Sequence, residues 1–245
     1  MASLDRGTVR MIILALGIAV GGLLVGRGFA RARVTERYVT VKGVTEREVR
    51  SDLAIWPLQV IGADNDLATA NAKLARSIAG VRQFMTRHGL DTTRVELTGF
   101  TVSDASSNQY ASGVPTNRFV IRQTMLIRSS RPDAVLQASQ LIGELAAIGV
   151  AVSSGGGEGS SGGPTFVYSG LNTLKPRMIA ESTARAREAA EQFAKDSRTS
   201  LGGIRRANQG VFEILPRDQA PGISAESQIA KVVRVVSTVE YLLGS

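Results

Sequence analysis

No cysteine occurs among the 245 residues, and there is a single histidine, His88. The lack of cysteine excludes disulfide bonds, thiolate metal sites and cysteine nucleophiles. His88 has no second histidine with which to form a metal site, and it precedes Gly89 at the end of a predicted helix. That position is typical of a C-terminal helix cap, so we interpret His88 as a cap and not as a catalytic base or metal ligand.

The sequence also lacks the patterns that mark nucleic-acid and phosphate binding. Basic and aromatic residues share no concentrated stripe, and the pair Arg205-Arg206 is typical of a solvated turn or strand edge. The glycine-rich segment 153–163 contains no lysine, and a β-rich run follows it where a phosphate-binding loop requires a helix. We therefore expect no nucleic-acid partner and interpret the segment as a flexible loop.

No convergent set of catalytic residues is visible. A serine nucleophile requires a base, and none of the lysines lies at a recognised spacing from a serine. These lysines are Lys42, Lys73, Lys175, Lys195 and Lys231. The acidic pairs Glu46/Glu48 and Glu188/Glu191 are more simply explained as surface charge. We predict no catalytic, cofactor-binding or metal-binding residue, no cofactor and no enzymatic activity.

An uncharged apolar run of sixteen residues, 11–26, lies between Arg10 and Arg27. As a helix it spans about 24 Å, slightly less than the ~30 Å hydrocarbon core of a bilayer. The aliphatic stems of the flanking arginines can extend it. We predict a transmembrane signal-anchor whose membrane-spanning residues are Met11, Ile12, Ile13, Leu14, Leu16, Ile18, Val20, Leu23, Leu24 and Val25.

The same run also fits a cleaved export signal, which stays an alternative. Small residues at 28–30 and 30–32 have the spacing of a cleavage site. We favour the uncleaved anchor because the run is at the upper end of signal length and arginines crowd the first mature positions. Orientation is open, since the count of flanking arginines places the domain in the cytoplasm and the short basic tail is typical of export.

We assign residues 1–37 to the N-terminal anchor or signal segment. The pattern of the remaining residues, 38–245, predicts one α+β domain. Strands outnumber helices and come in pairs, in the order β-β-α-β-β-α-β-α-β-β. This pattern favours antiparallel sheet layers with packed helices, preceded by one N-terminal apolar helix. The predicted strands are 38–44, 49–61, 94–103, 117–129, 165–168, 204–215 and 231–243.

Glycine and proline set the predicted ends and irregularities of these elements. Gly43 ends the first strand, and Gly149 ends a single helix that begins after Ser130. Pro57 cannot donate a ladder hydrogen bond, so the second strand is expected to be an edge strand or bulged there. The segment 201–203 (LGG) is expected to separate the long alanine-rich helix from the next strand.

The assembled pattern resembles a SIMPL-domain protein, a bacterial envelope family. The resemblance begins at 39–43 (VTVKG), a short strand that ends in glycine, and continues at 51–54 (SDLA), an acidic residue before a strand. It includes the alanine-rich helix 180–194 and the following 201–203. The order of elements fits over residues 38–243.

The resemblance implies a periplasmic location, no established enzymatic activity, a link to envelope or oxidative-stress defence and, for some relatives, ring-like homo-oligomers. We therefore expect a non-enzymatic inner-membrane protein, single-pass, that self-associates with its folded domain in the periplasm. The expected contacts are exposed edges such as the strand 231–243 or the loop around Tyr110. The alternative is a soluble periplasmic ligand- or peptide-binding module after signal cleavage.

Overall fold

The computed structural model describes residues 15–26, 37–107, 116–154 and 163–244. Residues 15–26 form helix α1. Within these ranges, none of the helices combines the length and apolar character that crossing a membrane requires. Four predicted membrane-spanning residues lie outside the described residues: Met11, Ile12, Ile13 and Leu14. The others lie in α1 and are exposed: Leu16, Ile18, Val20, Leu23, Leu24 and Val25.

The remaining elements confirm the predicted α+β class with antiparallel sheets. The strands are β1 (Tyr38–Arg50), β2 (Leu53–Asp64), β3 (Val95–Asp104), β4 (Phe119–Ser129), β5 (Val152–Ser154), β6 (Thr165–Val167), β7 (Ser200–Gln209), β8 (Glu213–Pro216) and β9 (Ala230–Gly244). The helices are α2 (Leu67–Arg87), α3 (Pro132–Gln140), α4 (Gly143–Ala147) and α5 (Leu171–Asp196). One sheet has the strand order β1-β9-β7 with β8 paired to β9, and the other has β3-β4-β2-β5 with β6 paired to β2.

The chain forms two compact units. The smaller contains Ala186–Asn208, Thr238–Ser245 and the start of β1. Its core places two alanines of α5 against valine and tyrosine side chains of β1 and β9: Val39, Val41, Ala186, Ala190, Val239 and Tyr241. At its surface, the Arg205 guanidinium stacks 4.4 Å from the centroid of the Tyr38 ring, and its Nη1 donates to Glu240 Oε2 at 3.0 Å.

The larger unit contains Gly43–Arg185 and Gln209–Ser237. Here α2 packs on β2 and β4, and most large side chains of the core come from these three elements. They include Trp56, Leu58, Val60, Phe84, Met85, Ile121, Met125 and Ile127, all fully buried. Val135 of α3, Leu145 of α4 and Phe166 of β6 belong to the same core. Burial alternates along β2 and β4, because every second residue in the middle of each strand is buried.

Pro57 does not make β2 an edge strand, and the prediction that it would is wrong. β2 lies between β4 and the short strands β5 and β6, and its register with β4 runs without a shift through Pro57. β6 pairs with Leu53–Ile55 and β5 with Leu58–Val60. Pro57 therefore falls between the two short strands, where a missing N–H costs no ladder hydrogen bond on that side.

Both ends of α2 are capped, and the predicted C-terminal cap at His88 is confirmed. Asp66 is the N-cap, and its carboxylate accepts a hydrogen bond from Thr69 N at 2.8 Å. His88 is the C-cap, and its backbone N–H donates to Phe84 O. Gly89 follows with φ +69°, a left-handed conformation that glycine adopts at little cost.

Three glycine-based boundaries differ from the prediction. β1 continues through Gly43, because its inward-outward alternation is maintained on both sides of that residue. The predicted single helix is α3 and α4, interrupted before Gly143, a residue with low helix propensity. Gly202 lies inside β7, where a Cβ would meet Leu242 O at 3.0 Å, so the close approach of β9 explains the glycine.

Candidate functional site

The strand predicted as an exposed edge, 231–243, is in the middle of its sheet. It corresponds to β9, which lies between β1 and β7, so its backbone groups are paired on both sides. The prediction that β9 offers an edge for self-association is therefore wrong. Tyr110, the other predicted contact residue, lies outside the described residues.

An exposed edge does occur at β3, which ends the five-stranded sheet and pairs with β4. Its register shifts between Thr98 and Thr101, and Gly99 has φ +61°. Two residues, Gly99 and Phe100, therefore stand opposite Gln123, which is a β-bulge with glycine in the left-handed position. The Gln123 side-chain amide supports the bulge by donating to Thr98 O at 2.8 Å.

Three large apolar side chains of β3 are exposed: Leu97 at 46%, Phe100 at 56% and Val102 at 44%. The register places Leu97 opposite Met125 and Val102 opposite Ile121, both buried. These β3 residues thus share the sheet face on which α2 packs, but α2 lies over β2 and β4 and leaves them uncovered. We refer to Leu97, Phe100 and Val102 as the β3 shelf.

The β3 shelf differs from the outer strands of the other sheet in its charge. Residues 97–103 (LTGFTVS) contain no charged residue and no proline. By contrast, β7 carries Arg205 and Arg206, and β1 carries alternating charges from Glu46 to Arg50. Charged residues and prolines are the usual protection of a sheet edge against pairing with another chain. Between residues 97 and 103, the bulge is the only such protection in β3.

A second surface feature, the β2–α2 cleft, has a volume of about 570 Å³. One wall is the end of β2 (Ile61, Gly62, Ala63), and the segment 148–151 lies beside it, because Ala151 O accepts a hydrogen bond from Ile61 N at 3.2 Å. α2 closes the cleft with Lys73, Arg76, Ser77 and Gly80. All three walls belong to the larger unit. The cleft mixes apolar side chains with hydroxyl and cationic groups, as small-molecule sites do.

His88 lies away from the cleft and is held as part of the α2 terminus. Its ring Nε2 is 3.2 Å from Glu144 Oε2, and its ring centroid is 4.5 Å from that of Phe84. Arg87 Nη1 lies 3.6 Å from the same carboxylate. These contacts hold the C-terminal end of α2 against α4. In the part of the chain that the structure describes, no group of three or more His, Asp or Glu side chains could hold a metal ion.

Asp52, the acidic residue of the 51–54 motif, joins the start of β2 to the segment before α5. Its carboxylate accepts from Ser169 N at 3.0 Å and from Ser169 Oγ at 2.7 Å, and its own N–H donates to Val167 O at 3.0 Å. Burial opposes ionisation, but the hydrogen bonds from Ser169 outweigh it and lower the pKa of Asp52. Asp52 therefore links two segments that are far apart in the sequence.

The sequence prediction named neither the β3 shelf nor the β2–α2 cleft. A signal for the shelf is present, because the glycine between Leu97 and Phe100 changes the alternation of β3 and returns both side chains to one face. The sequence contains a weaker signal for the β2–α2 cleft. Lys73 and Arg76 share a helix face by their spacing, but their position over the end of β2 follows only from packing.

Comparison with known proteins gives one family match. The model of the SIMPL family, described as "Protein of unknown function (DUF541)", matches residues 39–240. None of the curated proteins matches the chain.

Two solved structures are similar at low sequence identity. The regulatory subunit of aspartate kinase from Thermus flavus is 12% identical, with 82% of this chain and 89% of that chain covered and a TM-score of 0.20. An uncharacterized conserved protein from Listeria innocua is 13% identical, with 78% and 91% covered and a TM-score of 0.19. TM-scores this low support no argument about fold or function.

Proposed function

Because the chain belongs to the SIMPL family, whose model covers residues 39–240, we propose that it is a non-enzymatic, membrane-anchored envelope protein that self-associates through β3. The observation that carries this proposal is the β3 shelf. It combines a sheet edge with three exposed apolar side chains and no charge from residue 97 to residue 103. Such an edge is a template for pairing with another strand.

The occupant we propose is β3 of a second copy, paired in a symmetric antiparallel manner. The two charged residues of β3 are already neutralised within the chain, Glu96 by Arg128 and Asp104 by Arg118 at 3.2 Å. A second identical strand therefore meets no unpaired like charge. Twofold pairing also places the two shelves side by side, which removes their apolar side chains from water.

The proposed location is the bacterial inner membrane, with the domain in the periplasm. Family membership is consistent with a periplasmic or envelope domain. The support for an anchor is the uncharged run 11–26 between Arg10 and Arg27. A role in envelope or oxidative-stress defence is part of the same proposal. It rests on the family resemblance alone.

The test is the mass of the detergent-extracted full-length protein, measured by light scattering for the wild type and for Phe100→Lys. We expect a discrete oligomer for the wild type and a shift toward monomer for Phe100→Lys, because two lysines would face each other at the pairing site. Ile204→Lys is the matched control, since Ile204 is also 56% exposed on an outer strand, β7. An unchanged mass for Phe100→Lys, or an equal loss for Ile204→Lys, would contradict pairing through β3.

The alternative function, a soluble periplasmic ligand-binding module, is favoured by the β2–α2 cleft. N-terminal sequencing of the extracted protein separates the two locations. An intact Met1 or Ala2 supports the anchor, and a start near Arg31 or Arg33 supports cleavage. A monomeric wild type that starts near Arg31 would replace our first proposal by the alternative.

A further inference from the structure

We infer that the β2–α2 cleft binds a small organic anion that has one carboxylate or phosphate group and a short apolar body. The inference does not depend on self-association, because the cleft shares no residue with the β3 shelf. Its volume of about 570 Å³ is within the range of small-molecule sites.

The first observation is a serine hydroxyl that lines the cleft and pairs with no other described residue. Ser77 is only 8% exposed and lines the cleft, and its hydroxyl forms no hydrogen bond to any other described residue. The Ser77 hydroxyl can donate to an oxygen of a bound ligand.

The second observation is a cation without a counterion. The Arg76 guanidinium makes one long hydrogen bond, from Nε to Ala72 O at 3.5 Å, within its own helix. No carboxylate pairs with it among the described residues. Arg76 and Ser77 both line the cleft, so each offers a donor there. A carboxylate or phosphate is the group that such donors bind.

Lys73 is already neutralised, which limits the charge of the ligand. Its Nζ lies 2.5 Å from Asp64 Oδ2 and donates to Ala63 O at 3.2 Å. Arg76 therefore supplies the unbalanced charge of the cleft. One unpaired guanidinium fits a ligand with a single anionic group better than a polyphosphate.

The backbone of β2 adds a further donor at the same end. Ile61 N donates to Ala151 O at 3.2 Å, so alternation along the strand turns the N–H of Ala63 to the same side. The pairing with β5 covers Leu58–Val60, and outside the sheet ladders no backbone hydrogen bond is formed by the Ala63 N–H among the described residues. The N–H of Ala63 is thus available at the cleft.

The remaining walls explain the apolar body of the proposed ligand. Ile61, Ile148 and Val150 line the cleft. Gly80 lets α2 approach the segment 148–151 closely, because a Cβ there would meet Val150 Cγ2 at 2.9 Å. A ligand that places its anionic group at Arg76 and Ser77 therefore has apolar groups around the rest of its surface.

The test uses calorimetric titration of the detergent-extracted full-length protein with hexanoate, hexyl phosphate, hexanol and inorganic phosphate. We expect hexanoate or hexyl phosphate to bind at one site per chain, and the tighter of the two identifies the anionic group. Hexanol and inorganic phosphate are expected to bind at least about tenfold more weakly, since each lacks one half of the recognised chemistry. Equal heats for hexanoate and hexanol would indicate partition into detergent and overturn the inference.

The matched variants are Arg76→Gln and Arg82→Gln. Both arginines are exposed on α2, but Arg82 is outside the cleft. We expect Arg76→Gln to weaken binding about tenfold or more and Arg82→Gln to leave it unchanged. Ser77→Ala should weaken it by a smaller factor. Equal binding by wild type and Arg76→Gln would overturn the proposed binding site. This outcome is independent of the self-association test, which measures the oligomer mass of Phe100→Lys.

Discussion

At Gly62 the backbone of β2 lies directly under α2. A Cβ at this position would meet Ala70 O and would lie 2.8 Å from Leu74 Cβ. Those atoms belong to the helix backbone and to a buried leucine, so they cannot move aside as a flexible surface side chain can. The absence of a side chain at Gly62 is therefore a packing requirement, and it also keeps one wall of the cleft close to α2.

We expect Gly62→Ala to lower the free energy of unfolding by about 1–3 kcal/mol, because the added methyl group overpacks the contact between β2 and α2. Gly203→Ala is the matched control, since a Cβ at Gly203 would meet no atom within 4 Å. That substitution should be neutral or slightly stabilising. Urea unfolding followed by circular dichroism measures both, and equal midpoints for the two variants would contradict the packing argument.

At the scale of elements, α5 shows which alanines carry close packing. The sequence predicts that Met178, Ala186, Ala189, Phe193 and the neighbouring alanines of the long helix allow close packing. In the structure Met178 and Ala186 are buried, whereas Ala189 and Phe193 are exposed. The buried positions continue instead at four-residue steps, with Ala190 and Ala194 following Ala186.

Ala190→Leu is expected to destabilise the protein by about 1–3 kcal/mol, because Ala190 is fully buried against β-strand side chains in the smaller unit. Ala189→Leu places the same side chain one residue away on the exposed face of α5. It should change the free energy of unfolding by less than about 0.5 kcal/mol. Denaturant midpoints of the two variants measure the difference. A similar loss in both would mean that the face of α5 is assigned incorrectly.

At the scale of the whole molecule, carboxylates with lowered pKa values occur throughout the described chain. They are Asp52, Asp64, Asp66, Asp91, Asp104, Glu181 and Glu226. Hydrogen bonds from Ser106 and Arg118 lower the pKa of Asp104 to about 2. A lowered pKa means that the unfolded chain binds protons that the native state does not. The stabilising contribution is present above the unfolded pKa and is lost as pH falls through the folded pKa.

We therefore expect the urea midpoint to fall as the pH is lowered from about 5 to about 2. The emission of Trp56, the single tryptophan and a buried one, reports the unfolding of the larger unit. Asp104→Asn should lower the midpoint at pH 6, and the difference from wild type should shrink as the pH falls from about 4 to about 2, because protonation of Asp104 removes the same charge. A difference that stays constant down to pH 2 would contradict the low pKa of Asp104.

Most elements, and the faces that β2, β4 and β9 present to the core, could be predicted from the sequence alone. These features depend on local chemistry: two-residue alternation in strands, the Asp66 cap and the Gly89 terminus of α2. The burial of alternate residues in β9 follows from the same alternation. The wrong predictions concern glycine and proline positions. Either residue can end a strand, lie in a bulge or occur within an uninterrupted strand, and the sequence does not distinguish these cases.

Tertiary structure alone decided which strands are central and where surface groups meet. Pro57 is tolerated in a central strand because β6 and β5 pair on either side of it, and those strands lie about a hundred residues further along the chain. β9 is a central strand and not the predicted edge for the same reason, because β1, from the other end of the sequence, pairs with it. The β3 shelf and the β2–α2 cleft likewise exist only where distant segments pack, because local periodicity determines the face of a residue but not its neighbour.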